Sequence, residues 1–375
     1  SNRVIEGSDN NTVAGDSNLV REDSNNNTVS GDSNVVREGS DNSTVSGTDN
    51  TVRNGDNNTV SGFDNTVRDA ANNTVAGSDN LVRDADNNTV AGNTNVVRDS
   101  NSNTVAGDGN TVRNQSDNNT VAGTDNSLNN ASSDNQVAGS DNSVDDSNAN
   151  TVAGIGNTIE DQSNANTVSG LDNTLTGNSQ ANQVSGAENL VDDSNGNTVS
   201  GNNNDVLDDS NDNVVAGEGN ALNDSDQNSV VGLENELDDS NQNQVAGDSN
   251  SLTTSDSNTV SGTDNVLEDA DDNQVTGFGN SVTLSEGNTV AGSFNTLDSV
   301  FDNTVAGTNN RVIEGSDNNT VSGDSNLVRE DSNNNTVSGD SNVVREGSDS
   351  NTVSGSDNTV RNGDNNTVSG TDNTV

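Results

Sequence analysis

The chain has 375 residues, 61 acids against 12 arginines, a formal charge of −49, 25% hydrophobic residues and four aromatics, with no Cys, His, Met, Trp, Tyr or Pro. These absences exclude a thiolate nucleophile, an imidazole base, a disulfide framework and an ordinary zinc site. The charge excludes nucleic acid and anionic membrane as partners, and the apolar inventory cannot fill a conventional globular core.

Such a chain folds only if a repeating geometry buries a few aliphatics in strict register, so the elements are read as repeats. The first is the strand Asn11-Thr12-Val13-Ala14-Gly15. Its valine has equivalents at Val29, Val45, Val60, Val75, Val90, Val105 and onward to Val368, twenty-four in all, spaced by 15 or 16 residues. Gly stands two positions after each anchor, Asn five after, and Val, Leu or Ile seven after; Asn stands two before, except at Ser43. Asn11, Val13, Gly15, Asn18 and Val20 form the first such set.

Period-2 alternation turns both Asn and both aliphatics of a coil inward on two short strands. Buried asparagines must be paired, and stacked coils allow their amides to bond one another in ladders along the axis. The glycine permits a corner with positive φ, or close backbone approach. The prediction is an all-β fold: a β-solenoid (β-roll) of 24 coils, 15–16 residues per coil, two short strands per coil, with inward Val and Asn ladders. It runs as one continuous solenoid over 1–375.

Outward positions differ along the chain. Thr precedes the anchor in eighteen coils, beginning with Thr12, Thr28, Thr44, Thr59, Thr74, Thr89, Thr104 and Thr120, and Ala or Ser follows it in twenty-two. The outcome is a flat Thr-x-Ala/Ser strip, either a ladder of small strand residues or a surface matched to ice. Arg follows the second aliphatic at Arg21, Arg37, Arg53, Arg68, Arg83, Arg98 and Arg113, with Glu22, Glu38, Asp69, Asp84 and Asp99 placed to neutralise it. Further on acids take over, at Asp145, Asp146, Asp192, Asp193, Asp208, Asp209, Asp238 and Asp239. These read as a solvated acidic face, with calcium bridging as the sharper alternative. No other cofactor is expected. Asn-Asn-Thr tripeptides, as at Asn10-Asn11-Thr12, match the N-glycosylation acceptor but are produced by the repeat itself.

A longer repeat overlies the coils. Residues 310–375 repeat 2–67 at an offset of 308 residues, or twenty coils, with five differences: Ala14/Ser322, Asn42/Ser350, Ser43/Asn351, Thr48/Ser356 and Phe63/Thr371. Exposed Arg21-Glu22-Asp23 recurs as Arg329-Glu330-Asp331, which points to duplication. Both ends fall inside the pattern, so the expectation is a segment of a longer array.

The half-coil Asn11-Thr12-Val13-Ala14-Gly15 resembles the x-x-Asn-x-Val-x-Gly repeat of the grass ice-recrystallisation-inhibition proteins. That resemblance implies a β-roll with inward Val and Asn ladders, and ice binding. The second half-coil departs from it, having Glu22, Glu38, Asp69 or Asp84 where the repeat places Gly. Two functions are therefore carried forward. The first is a non-enzymatic segment of an extracellular or cell-surface fibre, associating head-to-tail and, through its Arg-bearing and acidic segments, side by side. The alternative is an antifreeze protein whose Thr strip meets the ice surface.

Overall fold

A computed structural model describes residues 1–375. It divides into two compact units, Ser1–Asp192 and Asp193–Val375. Each is a stack of coils whose strands pair, in parallel, with their counterparts one coil before and after.

In the first unit, the strand Thr74–Ser78 pairs with Thr59–Phe63 and Thr89–Asn93, Val75 standing opposite Val60 and Val90. The second strand of that coil, Leu81–Arg83, pairs likewise with Thr66–Arg68 and Val96–Arg98. Val75 and Val82 are fully buried, as are the valines stacked on either side of them. In the second unit, Thr289–Ser293 pairs with Gln274–Phe278 and Thr304–Thr308, and Thr296–Asp298 with Ser281–Thr283 and Arg311–Ile313. The predicted solenoid, its two strands per coil and its Val ladders are all present.

The asparagine ladders pair the buried amides. Asn80 donates from Nδ2 to Asn65 Oδ1 (2.9 Å), to Ala76 O (3.3 Å) and to Gly92 O (2.7 Å). Its Oδ1 accepts from the Asn95 backbone N (3.1 Å) and Nδ2 (3.0 Å). Asn295 repeats this in the second unit, donating to Asn280 Oδ1 and Gly307 O at 3.0 Å each. One residue type thus caps strand carbonyls of its own coil and the next, bonds the coil before and accepts from the coil after, which no apolar residue can do.

Three left-handed corners set the path of each coil. In the coil of Val75 they fall at Asp79 (φ 56°), Asp84 (φ 50°) and Asn87 (φ 62°), and the next residue at each, Asn80, Ala85 and Asn88, is buried. Asp and Asn tolerate this conformation better than other non-glycine residues, which accounts for their abundance. Coils of 16 residues hold two such residues at the corner after the second strand, as at Glu22 and Asp23 (φ 58° and 57°) or Asn114 and Gln115 (φ 58° and 65°). The extra residue is absorbed there, so the ladders keep their register.

Two features go beyond the sequence reading. The glycine lies within the five-residue first strand, as Gly77 does in Thr74–Ser78, instead of following it. It still has positive φ and a close approach. A fifth buried column also exists, five residues before each anchor: Ser24, Ser40, Gly55, Ala70, Ala85, Ser100 and their successors. Ser40 N donates to Ser24 Oγ (3.1 Å) and Gly55 N to Ser40 Oγ (3.2 Å), so where the column holds Ser its hydroxyls form a further ladder at the second corner.

Candidate functional site

The outer surface of the first strands is the most regular feature of the molecule. Alternation that buries Val turns the preceding Thr and the following Ala or Ser outward. Thr12, Thr28, Thr44, Thr59, Thr74, Thr89, Thr104 and Thr120 are all exposed. They stand directly opposite one another in consecutive strands. Ala76 and Ala91, beside Thr74 and Thr89, are half-buried, so the threonines stand proud of the smaller row.

This row is held from behind. Thr59 N donates to Asn73 O (2.8 Å) and Thr74 N to Asn88 O (2.9 Å), so the inward ladder residue of the next coil fixes each threonine backbone. The eight hydroxyls take no partner within the chain, in contrast to Thr94, which donates to Asp108 (2.7 Å). β-Branching restricts χ1, so the methyl and hydroxyl groups are presented with little rotamer freedom. Strand spacing of about 4.8 Å repeats the presentation from coil to coil.

The ladder residues of the first coil are placed as expected. Asn18 and Val20 are fully buried, while Asn11 and Val13 lie half-buried at the edge of the first unit. Asn18 Nδ2 donates to Ala14 O and Gly31 O (2.9 and 2.8 Å), and Asn11 Nδ2 to Ser24 O (2.8 Å). Gly15 has φ +100°. Asn10, the acceptor position of the first glycosylation tripeptide, is exposed in a left-handed corner beside the Thr row.

The second face carries the charges. Arg21 pairs with Glu22 (3.1 Å), Arg68 with Asp69 (3.0 Å), Arg83 with Asp84 (2.9 Å) and Arg98 with Asp99 (3.1 Å). Arg53 reaches back to Glu38 of the preceding coil, and Arg361 to Glu346 (2.5 Å). The expected neutralisation is therefore present, though exposed pairs of this kind contribute little to stability. The Asn54 amide, then Arg68, hold the Asp69 carboxyl below the ordinary carboxylate range. Arg113 differs, donating to Asn129 Oδ1 (3.2 Å).

The acids singled out for calcium are spread along this face and its corners. Asp145 accepts from Asn130 Nδ2 (2.7 Å) and Asp238 from Asn223 Nδ2 (2.7 Å). Asp146, Asp193, Asp208, Asp209 and Asp239 occupy left-handed corner positions, and Asp192 ends a second strand. Nowhere do three carboxylates converge on one point.

One acid is thermodynamically out of place. Asp205 opens the second strand Asp205–Leu207 beside Ala221, and burial pushes its carboxyl above the ordinary carboxylate value. A raised value means that the folded state binds its proton more readily, so the native state loses stability as pH rises through it. Asp205→Asn is expected to raise the unfolding midpoint by about 1–2 °C at pH 7. That gain should vanish below pH ~4, and a gain independent of pH in thermal melts would refute the assignment.

A family model described as the grass antifreeze beta roll matches residues 45–101, a span of the first unit that contains Thr59, Thr74 and Thr89. No curated protein matches the sequence. One solved structure that is similar is a putative acetyltransferase from Desulfovibrio desulfuricans G20, at 8% identity and a TM-score of 0.18. The alignment covers 67% of this chain and 64% of that one, so this chain spans less than two thirds of its length. A likeness so distant has no bearing on function.

Proposed function

We propose that this chain binds ice through the outward face of its first strands. The reading rests on one observation above all: an in-register row of exposed threonines with free hydroxyls, beside a row of Ala and Ser, in the region that the antifreeze family model matches. The face is rigid before it meets a ligand, because the Asn ladders hold every strand. Little conformational freedom is then lost on binding. Each contact is weak, and many act at once on a surface that is itself periodic, so avidity supplies the affinity.

The family match favours this reading over the fibre, which rests on the 308-residue repeat. Neither needs catalysis, for which the composition supplies no imidazole or thiolate.

The test replaces Thr59, Thr74, Thr89, Thr320, Thr336 and Thr352 together by Lys. Outward substitutions away from the core leave stability within about 0.5 kcal/mol each. Recrystallisation inhibition and adsorption to ice are expected to fall to background while circular dichroism stays that of the parent. Full activity in the folded variant would refute the proposal.

A further inference from the structure

The threonine row is not continuous. It runs unbroken over eight coils of the first unit, Thr12 to Thr120, and over six coils of the second, Thr289 to Thr367. Between these runs the same outward position holds Gln136, Gln183, Val214, Ser229, Gln244 and Gln274, and no more than two threonines occur in succession. Val231, 50% exposed, also replaces the small residue of the second row.

We propose that the face comprises two separate ice-binding stretches, Thr12–Thr120 and Thr289–Thr367, and that the coils between them do not bind. The inference rests on the ice-binding reading above. Its physical reason is shape. Ice is flat and rigid and cannot adapt to the protein. A glutamine in the threonine row rises above its neighbours and rotates about three bonds, where threonine is short and fixed by its branch. One such residue lifts the surface from the coils on either side, and the interruptions recur too often for a run to develop between them.

Two further observations agree with this division. The family match, residues 45–101, lies wholly inside the first stretch. The 308-residue repeat carries Thr12, Thr28, Thr44 and Thr59 over as Thr320, Thr336, Thr352 and Thr367, so four coils of the second stretch copy the first almost unchanged.

The full chain tests the idea with three sets of substitutions. The first is Thr59, Thr74 and Thr89→Gln; the second is Thr320, Thr336 and Thr352→Gln; the third is Thr151, Thr167 and Thr259→Gln. Gln is chosen because the fold already accepts it at this position in four coils. The first and second sets should each raise the concentration needed to stop recrystallisation by roughly two- to tenfold, and together they should abolish activity. The third should match the parent. If the third set impairs activity as much as the first, the face acts as one surface and the division is wrong. If the first set alone abolishes activity, the second stretch contributes nothing and the division is equally wrong. Persistence of full activity in the doubly substituted chain would instead overturn the ice-binding reading itself.

Discussion

Gly92→Ala is expected to destabilise the first unit by about 2–6 kcal/mol, an effect out of proportion to one methyl group. Gly92 has φ +117°, a region that side-chain-bearing residues rarely enter. A Cβ built there would lie 1.9 Å from the carbonyl oxygen of Gly107 and 2.9 Å from its carbonyl carbon. Both atoms are backbone held in the parallel ladder, so neither can move without opening the coil interface. Backbone strain of ~1–3 kcal/mol and overpacking of similar size then add. Gly39→Ala makes the same chemical change where φ is +69° and nothing lies within 4 Å of the new atom. That control should lose only about 1–2 kcal/mol, the intrinsic penalty of the left-handed conformation. Thermal and denaturant melts of the two variants measure the difference. Equal losses would show that the coil contact at Gly92 is slack.

That glycine also shows how far the sequence was legible. Its invariance through twenty-four coils predicted positive φ or close approach, and both occur. Its position inside a strand was not foreseen, because φ imposes the same residue in a corner and in a distorted strand. The Val and Asn columns could be read because their alternation has only one buried solution. The Ser, Ala and Gly column of Ser40, Gly55 and Ala70 was missed, since these are ordinary surface residues and their distance from the second aliphatic varies between three and four. Counting back five from the following anchor would have found it. Arg–acid pairing followed from adjacency in sequence at Arg21, Arg68, Arg83 and Arg98, whereas Arg53 and Arg361 reach an acid one coil back.

The second large effect should come from the asparagine ladder. Asn80→Leu keeps the branched outline of the side chain, though its methyl groups are bulkier, and removes all its polar atoms. Gly92 O loses its donor at 2.7 Å, and the Asn95 backbone N and Nδ2 lose the acceptor they share at 3.1 and 3.0 Å. Asn80 is 1% exposed and Asn95 fully buried, so water cannot replace these partners without opening the coil. Asn95 Nδ2 keeps Ala91 O and Gly107 O (3.3 and 2.9 Å), but each group left without a partner costs about 1–3 kcal/mol, offset in part by about 1.5–3 kcal/mol from burying an apolar side chain. A net loss of roughly 2–5 kcal/mol follows. Asn80→Asp separates hydrogen bonding from shape more sharply. Its carboxylate would set a second oxygen against Ala76 O and Gly92 O, where the amide nitrogen now donates. Burial and these carbonyls would raise the carboxyl value, so its proton is favoured in the folded state and lost as pH rises. The aspartate variant should be least stable at neutral pH and recover part of its stability in acid, when the protonated carboxyl can donate once more. The leucine variant has nothing to titrate and should keep a constant deficit relative to the parent. Parallel pH-dependent melts of the two variants would show this divergence if the ladder is held by directed amide bonds. Parallel curves would mean that the asparagines serve the coil by filling space.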